Sequence, residues 1–99
     1  MESGKSGDSW EYIKENLKIG SHVFGHVLCH EPYGFFVSIS GNNFQGLVQI
    51  TDIKDDERVF PADYPAIGTY IEAVVLGFRD VNQQIWLGIK PSQVRRDAP

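Results

Sequence analysis

The sequence predicts an all-β domain, a five-stranded antiparallel Greek-key barrel that follows a short N-terminal helix. Three observations support this prediction. Apolar and polar residues alternate with a period of two in segments of strand length between residues 20 and 91. Turn-forming residues separate most of these segments, and one longer acidic connection stands between the third and the fourth. Five strands fit a Greek-key barrel better than an immunoglobulin-type sandwich, which needs about seven.

Length and composition are those of one small domain. At 99 residues, with 41% hydrophobic residues, the chain can bury one modest core. No apolar stretch approaches the roughly 20 residues that span a membrane, and the first residues lack the hydrophobic segment of a signal peptide. We therefore expect a soluble, cytoplasmic monomer with no cofactor and no membrane partner. Cys29 is the only cysteine, which excludes an internal disulfide and a thiolate zinc cluster.

The charge balance of the chain is acidic. Nine Lys and Arg residues against thirteen Asp and Glu residues give a formal net charge of −4. Four of the basic and eight of the acidic residues lie between Gly20 and Lys90, so the deficit belongs to the predicted barrel. Because dedicated nucleic-acid binders usually carry a basic surface, non-specific binding to phosphate should be weak and sensitive to salt.

The two ends of the chain differ from the predicted barrel. Residues 1–8 are small, polar and glycine-bearing, so we expect a flexible leader, and residues 92–99 are expected to form a flexible tail. A short amphipathic helix is predicted over residues 9–19, where Asp8 and Glu11 fit an N-terminal capping pattern. Its apolar residues recur at helical spacing: Trp10, Ile13 and Leu17. Packing of this stripe on the barrel is favoured over contact with a partner protein.

The first three predicted strands are consecutive and antiparallel. The first begins after Gly20 and places four alternate side chains on one face: His22, Phe24, His26 and Leu28. Gly25 on the other face suggests a bend or bulge, which helps a small sheet to close into a barrel. The second strand covers residues 33–40 and the third covers residues 45–51, with a turn at residues 41–43.

The last two predicted strands follow a long connection. Residues 52–68 interrupt the alternation with an acidic cluster and two prolines, and we expect them to cross the barrel with one helical turn. The fourth strand covers residues 69–78 and the fifth covers residues 84–89, joined by a hairpin turn. Pro91 ends the fifth strand. This arrangement is that of the OB-fold barrel.

Several short motifs occur together in a specific order and spacing. They are Gly20, Gly25 and Val27 in the first strand, Tyr33-Gly34-Phe35-Phe36-Val37 in the second, Gly46-Leu47-Val48-Gln49-Ile50-Thr51 in the third, Gly68 before the fourth and Leu87-Gly88-Ile89-Lys90 in the fifth. Over residues 20–90 this combination resembles the RNA-binding domain that is repeated in bacterial ribosomal protein S1. That domain also occurs singly in ribonucleases, polynucleotide phosphorylase and translation factors.

The resemblance implies two base-stacking residues. In that family, the aromatic residue before the glycine of the second strand and the phenylalanine two residues after the glycine stack on bases, and these are Tyr33 and Phe36 here. Residues three apart on a regular strand lie on opposite faces, so their joint exposure requires a local irregularity at Gly34. The alternative is that Phe36 belongs to the core and that Tyr33 caps the loop.

The resemblance also implies polar contacts to RNA. The family's third-strand histidine falls on Gln49, with Thr51 as its hydroxyl partner. The acidic and basic residues of the family's last hairpin fall on Arg79 or Asp80 and then on Gln84. Gln49, Arg79 and Gln84 are therefore candidate RNA-binding residues, although neither glutamine can neutralise a phosphate.

Histidines repeat at every fourth residue of the first strand: His22, His26 and His30. At about 3.3 Å per residue, neighbours in this series lie roughly 13 Å apart, too far for one zinc ion bound at about 2 Å. We therefore expect no metal site. His26 is a candidate RNA-binding residue that contacts phosphate when protonated, and the alternative is a solvated position at the edge.

Trp86 points outward on the fifth strand and needs a cover. The helix containing Trp10, a partner protein or a stacked base would each supply one, and the helix is favoured.

The resemblance implies binding of single-stranded RNA without catalysis, in translation or RNA metabolism and in association with the ribosome. No Ser, Cys or Lys lies in a recognisable nucleophile motif, and a small barrel has little room for a buried acid and base. Two alternatives remain open. One is an acidic barrel that binds a basic protein partner such as a ribosomal protein. The other is an RNA-binding domain excised from a larger RNA-processing enzyme.

Overall fold

The computed structural model describes residues 9–41, 43–55 and 58–94. The predicted leader, residues 1–8, and residues 95–99 of the predicted tail lie outside these ranges, whereas residues 92–94 of that tail belong to a short helix. The elements are α1 (Trp10–Asn16), β1 (His22–Glu31), β2 (Gly34–Ile39), β3 (Gln45–Gln49), β4 (Tyr70–Arg79), β5 (Gln84–Gly88) and α2 (Pro91–Val94), with 3-10 turns at Ile50–Asp52 and Pro61–Asp63. Within the described ranges, no helix is long and apolar enough to cross a membrane.

The five strands close into a barrel in the order β1-β2-β3-β5-β4, which confirms the predicted five-stranded barrel with its N-terminal helix. Four of the strand pairings are antiparallel, and the pairing of β3 with β5 is parallel. The prediction of an entirely antiparallel barrel needs this correction for a geometric reason. Strand directions cannot alternate at every step around a closed ring of five, because five is an odd number.

The core lies inside the barrel and follows from the alternation along each strand. One row of neighbouring residues runs from β2 through β3 and β5 to β4: Phe35, Val48, Leu87 and Val75. All four side chains are fully buried, and other buried residues of the strands, such as Val27 and Ile85, belong to the same cluster. Each fully buried aliphatic or aromatic side chain contributes about 1.5–3 kcal/mol, so this row accounts for much of the stability of the domain.

Strand β1 is long enough to pair on both edges and thereby closes the barrel. Gly25 pairs with Ile39 on β2 and with Ile71 on β4. A Cβ atom at Gly25 would overlap the backbone carbonyl oxygen of Ser38, so glycine permits the close approach of β2. The predicted bend or bulge at Gly25 is displaced along the strand, because the register of the pairing with β2 shifts between Val27 and Cys29.

Helix α1 packs on one end of the barrel, as its apolar stripe predicts. Trp10 and Ile13 are buried, and the Trp10 ring makes edge contacts with Phe44 and Phe78, at centroid distances of 5.1 and 5.9 Å. The helix begins after Ser9, whose side chain accepts a hydrogen bond from a backbone N–H of the first turn, so the observed N-cap is Ser9. Asp8 lies outside the described residues.

A carboxylate on the β4–β5 turn holds the helix in place. Asp80 accepts hydrogen bonds from the indole Nε1 of Trp10 and from Nζ of Lys14, both at 2.7 Å. The hydrogen bond from Lys14 and the one from Trp10 lower the pKa of Asp80, and the same bond to Asp80 raises the pKa of Lys14. The side chain of Asp80 is therefore part of the helix attachment.

Candidate nucleic-acid interface

Tyr33 and Phe36 lie side by side on the outside of the barrel. Their ring centroids are 6.3 Å apart and the ring planes are nearly perpendicular, at 87°. Tyr33 is 51% exposed, whereas Phe36 is half-buried. The two rings therefore present one edge-to-face pair on which bases could stack. We call Tyr33 and Phe36 the stacking pair.

Joint exposure of Tyr33 and Phe36 requires a local irregularity, and this irregularity is the turn that precedes β2. Glu31 pairs with Gly34, so Pro32 and Tyr33 form a two-residue turn and Tyr33 is free of the strand alternation. A Cβ atom at Gly34 would overlap the carbonyl oxygen of Val48, so only glycine lets the turn approach β3 this closely.

The turn that carries Tyr33 is fastened by Tyr64 from the connection between β3 and β4. The Tyr64 hydroxyl donates to the carbonyl oxygen of Glu31 at 2.7 Å, with the carbonyl oxygen of Pro32 at 3.3 Å. Its buried ring packs on Phe35 at a centroid distance of 5.6 Å, and burial raises the pKa of its phenol. Tyr64 is therefore a positioning residue for Tyr33, and the connection crosses this end of the barrel.

An apolar ridge continues from Phe36 across the outer face. Phe36 pairs with Leu47 on β3, and Leu47 pairs with Trp86 on β5. Leu47 alternates with the core residues Gly46 and Val48 and points outward, yet it is only 1% exposed. Phe36 and Trp86 are its neighbours on the two adjacent strands. The ridge consists of Phe36, Leu47 and Trp86, and its accessible surface belongs to the half-buried Phe36 and Trp86.

Trp86 has a different cover from the predicted one. The guanidinium of Arg79 lies over the Trp86 ring, at 5.6 Å from the centroid, and Trp86 is half-buried. The expectation that helix α1 covers this residue is wrong, because the Trp10 ring of the helix packs on the rings of Phe44 and Phe78 instead.

The predicted polar residues lie at opposite ends of this face. Gln49 is exposed and pairs with Gly34, next to the stacking pair. Arg79 and Gln84 pair at the other end, where an Arg79 nitrogen donates to Oε1 of Gln84 at 3.3 Å. Strand β5 runs about 13 Å from Gln84 to Gly88, so one extended strand of nucleic acid is needed to contact both ends.

His26 lies on a different part of the barrel surface from the stacking pair. It is exposed on β1, with its ring 4.9 Å from the ring centroid of Tyr70 on β4. The three histidines belong to no group of described side chains that could hold a metal ion.

A cavity of about 430 Å³ opens beyond the end of β3, and sequence reasoning missed it. Ile50 and Thr51 line it together with three cationic side chains: Lys54, Arg58 and Lys90. The sequence separates Lys90 from the other two by more than thirty residues, so only the parallel pairing of β3 with β5 indicates that they meet.

A closed five-stranded barrel with an aromatic outer face defines an OB-fold domain of the nucleic-acid-binding kind. The family model for the S1 RNA binding domain matches residues 16–90. The chain therefore belongs to the S1 RNA-binding domain family, and it is a nucleic-acid-binding domain.

Relatives in two bacteria are much longer than this chain. It is 34% identical over 84 residues to small ribosomal subunit protein bS1 of Neisseria meningitidis serogroup B, a match that covers 85% of this chain and 15% of that protein. The corresponding protein of Helicobacter pylori strain J99 is 31% identical over 84 residues, covering 84% of this chain and 15% of that protein. The solution structure of GSP13 from Bacillus subtilis has a TM-score of 0.68 and 25% sequence identity, and the match covers 81% of this chain and 61% of that chain.

Proposed function

We propose that this domain binds single-stranded RNA, without catalysis and with modest affinity, through the face formed by β2, β3 and β5. The observation that carries the proposal is the edge-to-face pair of Tyr33 and Phe36 on the exposed surface. Base stacking on aromatic side chains contributes roughly 1–3 kcal/mol per base and tolerates any sequence. Gln49, Arg79 and Gln84 supply hydrogen bonds along the same face, and Arg79 supplies its cation.

The family and the ridge beside the stacking pair support single strands over duplexes. Stacking requires bases that are unpaired, whereas a duplex hides the faces of its bases and is recognised mainly through its backbone. Phe36 and Trp86, whose side chains are half-buried, offer an apolar surface to such bases, and the net charge of −4 argues against a backbone-dominated mode.

A comparison of two tyrosine variants tests this proposal. Tyr33→Ala should weaken binding of a fluorescein-labelled single-stranded oligoribonucleotide by roughly 5- to 150-fold in fluorescence anisotropy, the equivalent of the stacking energy. Tyr12 on α1 is 50% exposed, close to the 51% of Tyr33, so Tyr12→Ala is a matched control that should bind as the wild type does. Equal binding by both variants, or none by the wild type at low salt, would contradict the proposal.

The place of this activity in the cell is inferred from the relatives. Ribosomal proteins named bS1 contain a segment similar to this chain, which supports a cytoplasmic role in translation or RNA metabolism, in association with the ribosome. Because the chain spans 15% of the length of those relatives, its action as an RNA-binding part of a longer RNA-processing protein is the closest alternative. We expect the domain itself to be a monomer.

A second candidate function is binding of a basic protein partner. Phe24 and Tyr70 form an exposed stacked pair on β1 and β4, with centroids 6.0 Å apart and an interplanar angle of 12°. An exposed aromatic pair on an acidic domain is a surface that a basic protein could cover. Binding that requires a second protein, survives high salt and is lost in Tyr70→Ala would favour this candidate.

A further inference from the structure

We propose that the cavity at the C-terminal ends of β3 and β5 binds a phosphate group, namely a backbone phosphate of the RNA strand that stacks on Tyr33. This inference rests on the proposed function, since it assigns a second contact to the same ligand. It gives the domain the cationic contact that Gln49 and Gln84 cannot make.

The location of the cavity follows from the parallel pairing of two strands. Because β3 and β5 run in the same direction, their C-terminal ends lie at the same end of the barrel. The backbone N–H of Ile89 donates to the carbonyl oxygen of Asp52 at 2.9 Å, which ties the end of β5 to the 3-10 turn that follows β3. Lys90 therefore reaches the same cavity as Lys54 and Arg58.

The charge of the cavity differs from that of the chain. Three of the four Lys and Arg residues between positions 20 and 90 line it, although the barrel carries twice as many acids as bases. Among the lining residues of the described chain, Asp55 is the only carboxylate, and it accepts hydrogen bonds from the backbone N–H of Ser92, at 3.1 Å, and from its hydroxyl. A site that gathers the few cations of an acidic domain fits an anionic ligand.

The cavity adjoins the stacking pair. Ile50 lines the cavity, and its backbone N–H donates to the carbonyl oxygen of Tyr33 at 2.8 Å. Gln49, one residue earlier, pairs with Gly34, the residue that follows Tyr33. A phosphate in the cavity would thus lie close along the strand to a base that stacks on Tyr33, so one ligand can occupy both.

The lining side chains have the chemistry for a phosphodiester. Arg58 can donate in a bidentate manner to two phosphate oxygens, and its guanidinium lies 6.0 Å from the Phe60 ring centroid, a cation–π contact that restricts its orientation. Lys90 adds a point charge and Thr51 adds a hydroxyl donor. A volume of about 430 Å³ falls within the roughly 300–1,000 Å³ range of ligand pockets.

Salt-dependent RNA binding tests the assignment. Wild type, Arg58→Gln, Lys90→Gln and the double variant are titrated with an unphosphorylated oligoribonucleotide at 50–200 mM salt. Each phosphate contact to a single strand contributes about 0.7 to the slope of log affinity against log salt, so the double variant should lose about 1.4. Between 50 and 200 mM salt, the double variant should therefore lose about 7-fold less affinity than the wild type loses. Lys18→Gln removes the same charge from an exposed position beyond helix α1 and should keep the wild-type slope.

The outcomes separate this inference from the proposed function. Retention of the wild-type slope and affinity by the double variant, with weaker binding by Tyr33→Ala, would overturn the phosphate site and leave the RNA face intact. Absence of RNA binding by the wild type would overturn both. A slope change that appears only with 5′-phosphorylated RNA would assign the cavity to a terminal phosphate and overturn the backbone assignment. Circular dichroism and thermal unfolding confirm that each variant is folded.

Discussion

Removal of a single hydroxyl group should loosen the turn that carries Tyr33, the residue proposed to stack on bases. Tyr64→Phe deletes the donor to the carbonyl oxygens of Glu31 and Pro32, while the ring can keep its contact with Phe35. The variant therefore separates the hydrogen bond from the packing. Since Tyr33 follows Pro32 directly, the change acts on the position of Tyr33 without touching its side chain.

The expected magnitude follows from the geometry of that bond. A partly buried hydrogen bond between neutral groups contributes about 0.5–1.5 kcal/mol to the free energy of unfolding. For a domain of this size, 1 kcal/mol corresponds to roughly 4–8 °C in Tm. RNA affinity should fall by about 2- to 5-fold, less than for Tyr33→Ala, because the stacking ring remains and loses only its fixed position.

Thermal unfolding and fluorescence anisotropy measure the two effects on the same samples. Tyr12→Phe removes a hydroxyl from an exposed tyrosine and should leave both Tm and RNA affinity at the wild-type values. A Tyr64→Phe variant with wild-type Tm and wild-type affinity would refute the positioning role. Stability should also fall with increasing pH above about 10 in the wild type, because burial raises the pKa of Tyr64 in the folded state and the unfolded chain loses that proton first.

Two further changes test the close approach of the Tyr33 turn and the helix attachment. Gly34→Ala forces a Cβ atom against the carbonyl oxygen of Val48 and should destabilise the domain by about 2 kcal/mol or more in urea unfolding, whereas Gly77→Ala, with its nearest contact at 3.5 Å, should cost much less. Asp80→Asn should reduce the loss of stability on acidification below about pH 4, by the part that Asp80 contributes. The reason is that the hydrogen bond from Lys14 lowers the pKa of Asp80, so the carboxylate stabilises the fold above its unfolded pKa and this stabilisation is lost as pH falls through the folded pKa. If the stability of Asp80→Asn fell on acidification as much as that of the wild type, the role of Asp80 in attaching the helix would be contradicted.

The barrel is predictable from sequence because its information is local and periodic. Alternation along each strand predicts one buried face per strand, and the structure places Phe35, Val48 and Leu87 of these faces in one row. A closed ring of five requires at least one parallel pairing, but it does not say which, and the predicted antiparallel barrel missed the pairing of β3 with β5. No pattern within either strand reports the direction of its neighbour.

The aromatic residues of the candidate interface could be predicted from the sequence, whereas the residues that hold them in position could not. Tyr33 and Phe36 flank a glycine in one short motif, so their proximity is encoded locally. Tyr64 acts from a connection without a periodic pattern, and its partners are backbone carbonyl oxygens that carry no sequence signature. The hydrogen bond between Trp10 and Asp80 joins residues seventy positions apart. Among the cations of the cavity, Lys90 is likewise far in sequence from Lys54 and Arg58, so no local pattern predicts that the three meet.

Mapping of backbone amide and indole chemical shifts during titration with single-stranded RNA tests the central claim most directly. The largest shifts are expected at Tyr33 and Phe36, with further shifts at Gln49 and at the indole N–H of Trp86. The exposed pair of Phe24 and Tyr70 on the other strands provides the internal reference, and its shifts should stay small. Shifts confined to that pair, or absent throughout, would contradict binding through the face formed by β2, β3 and β5.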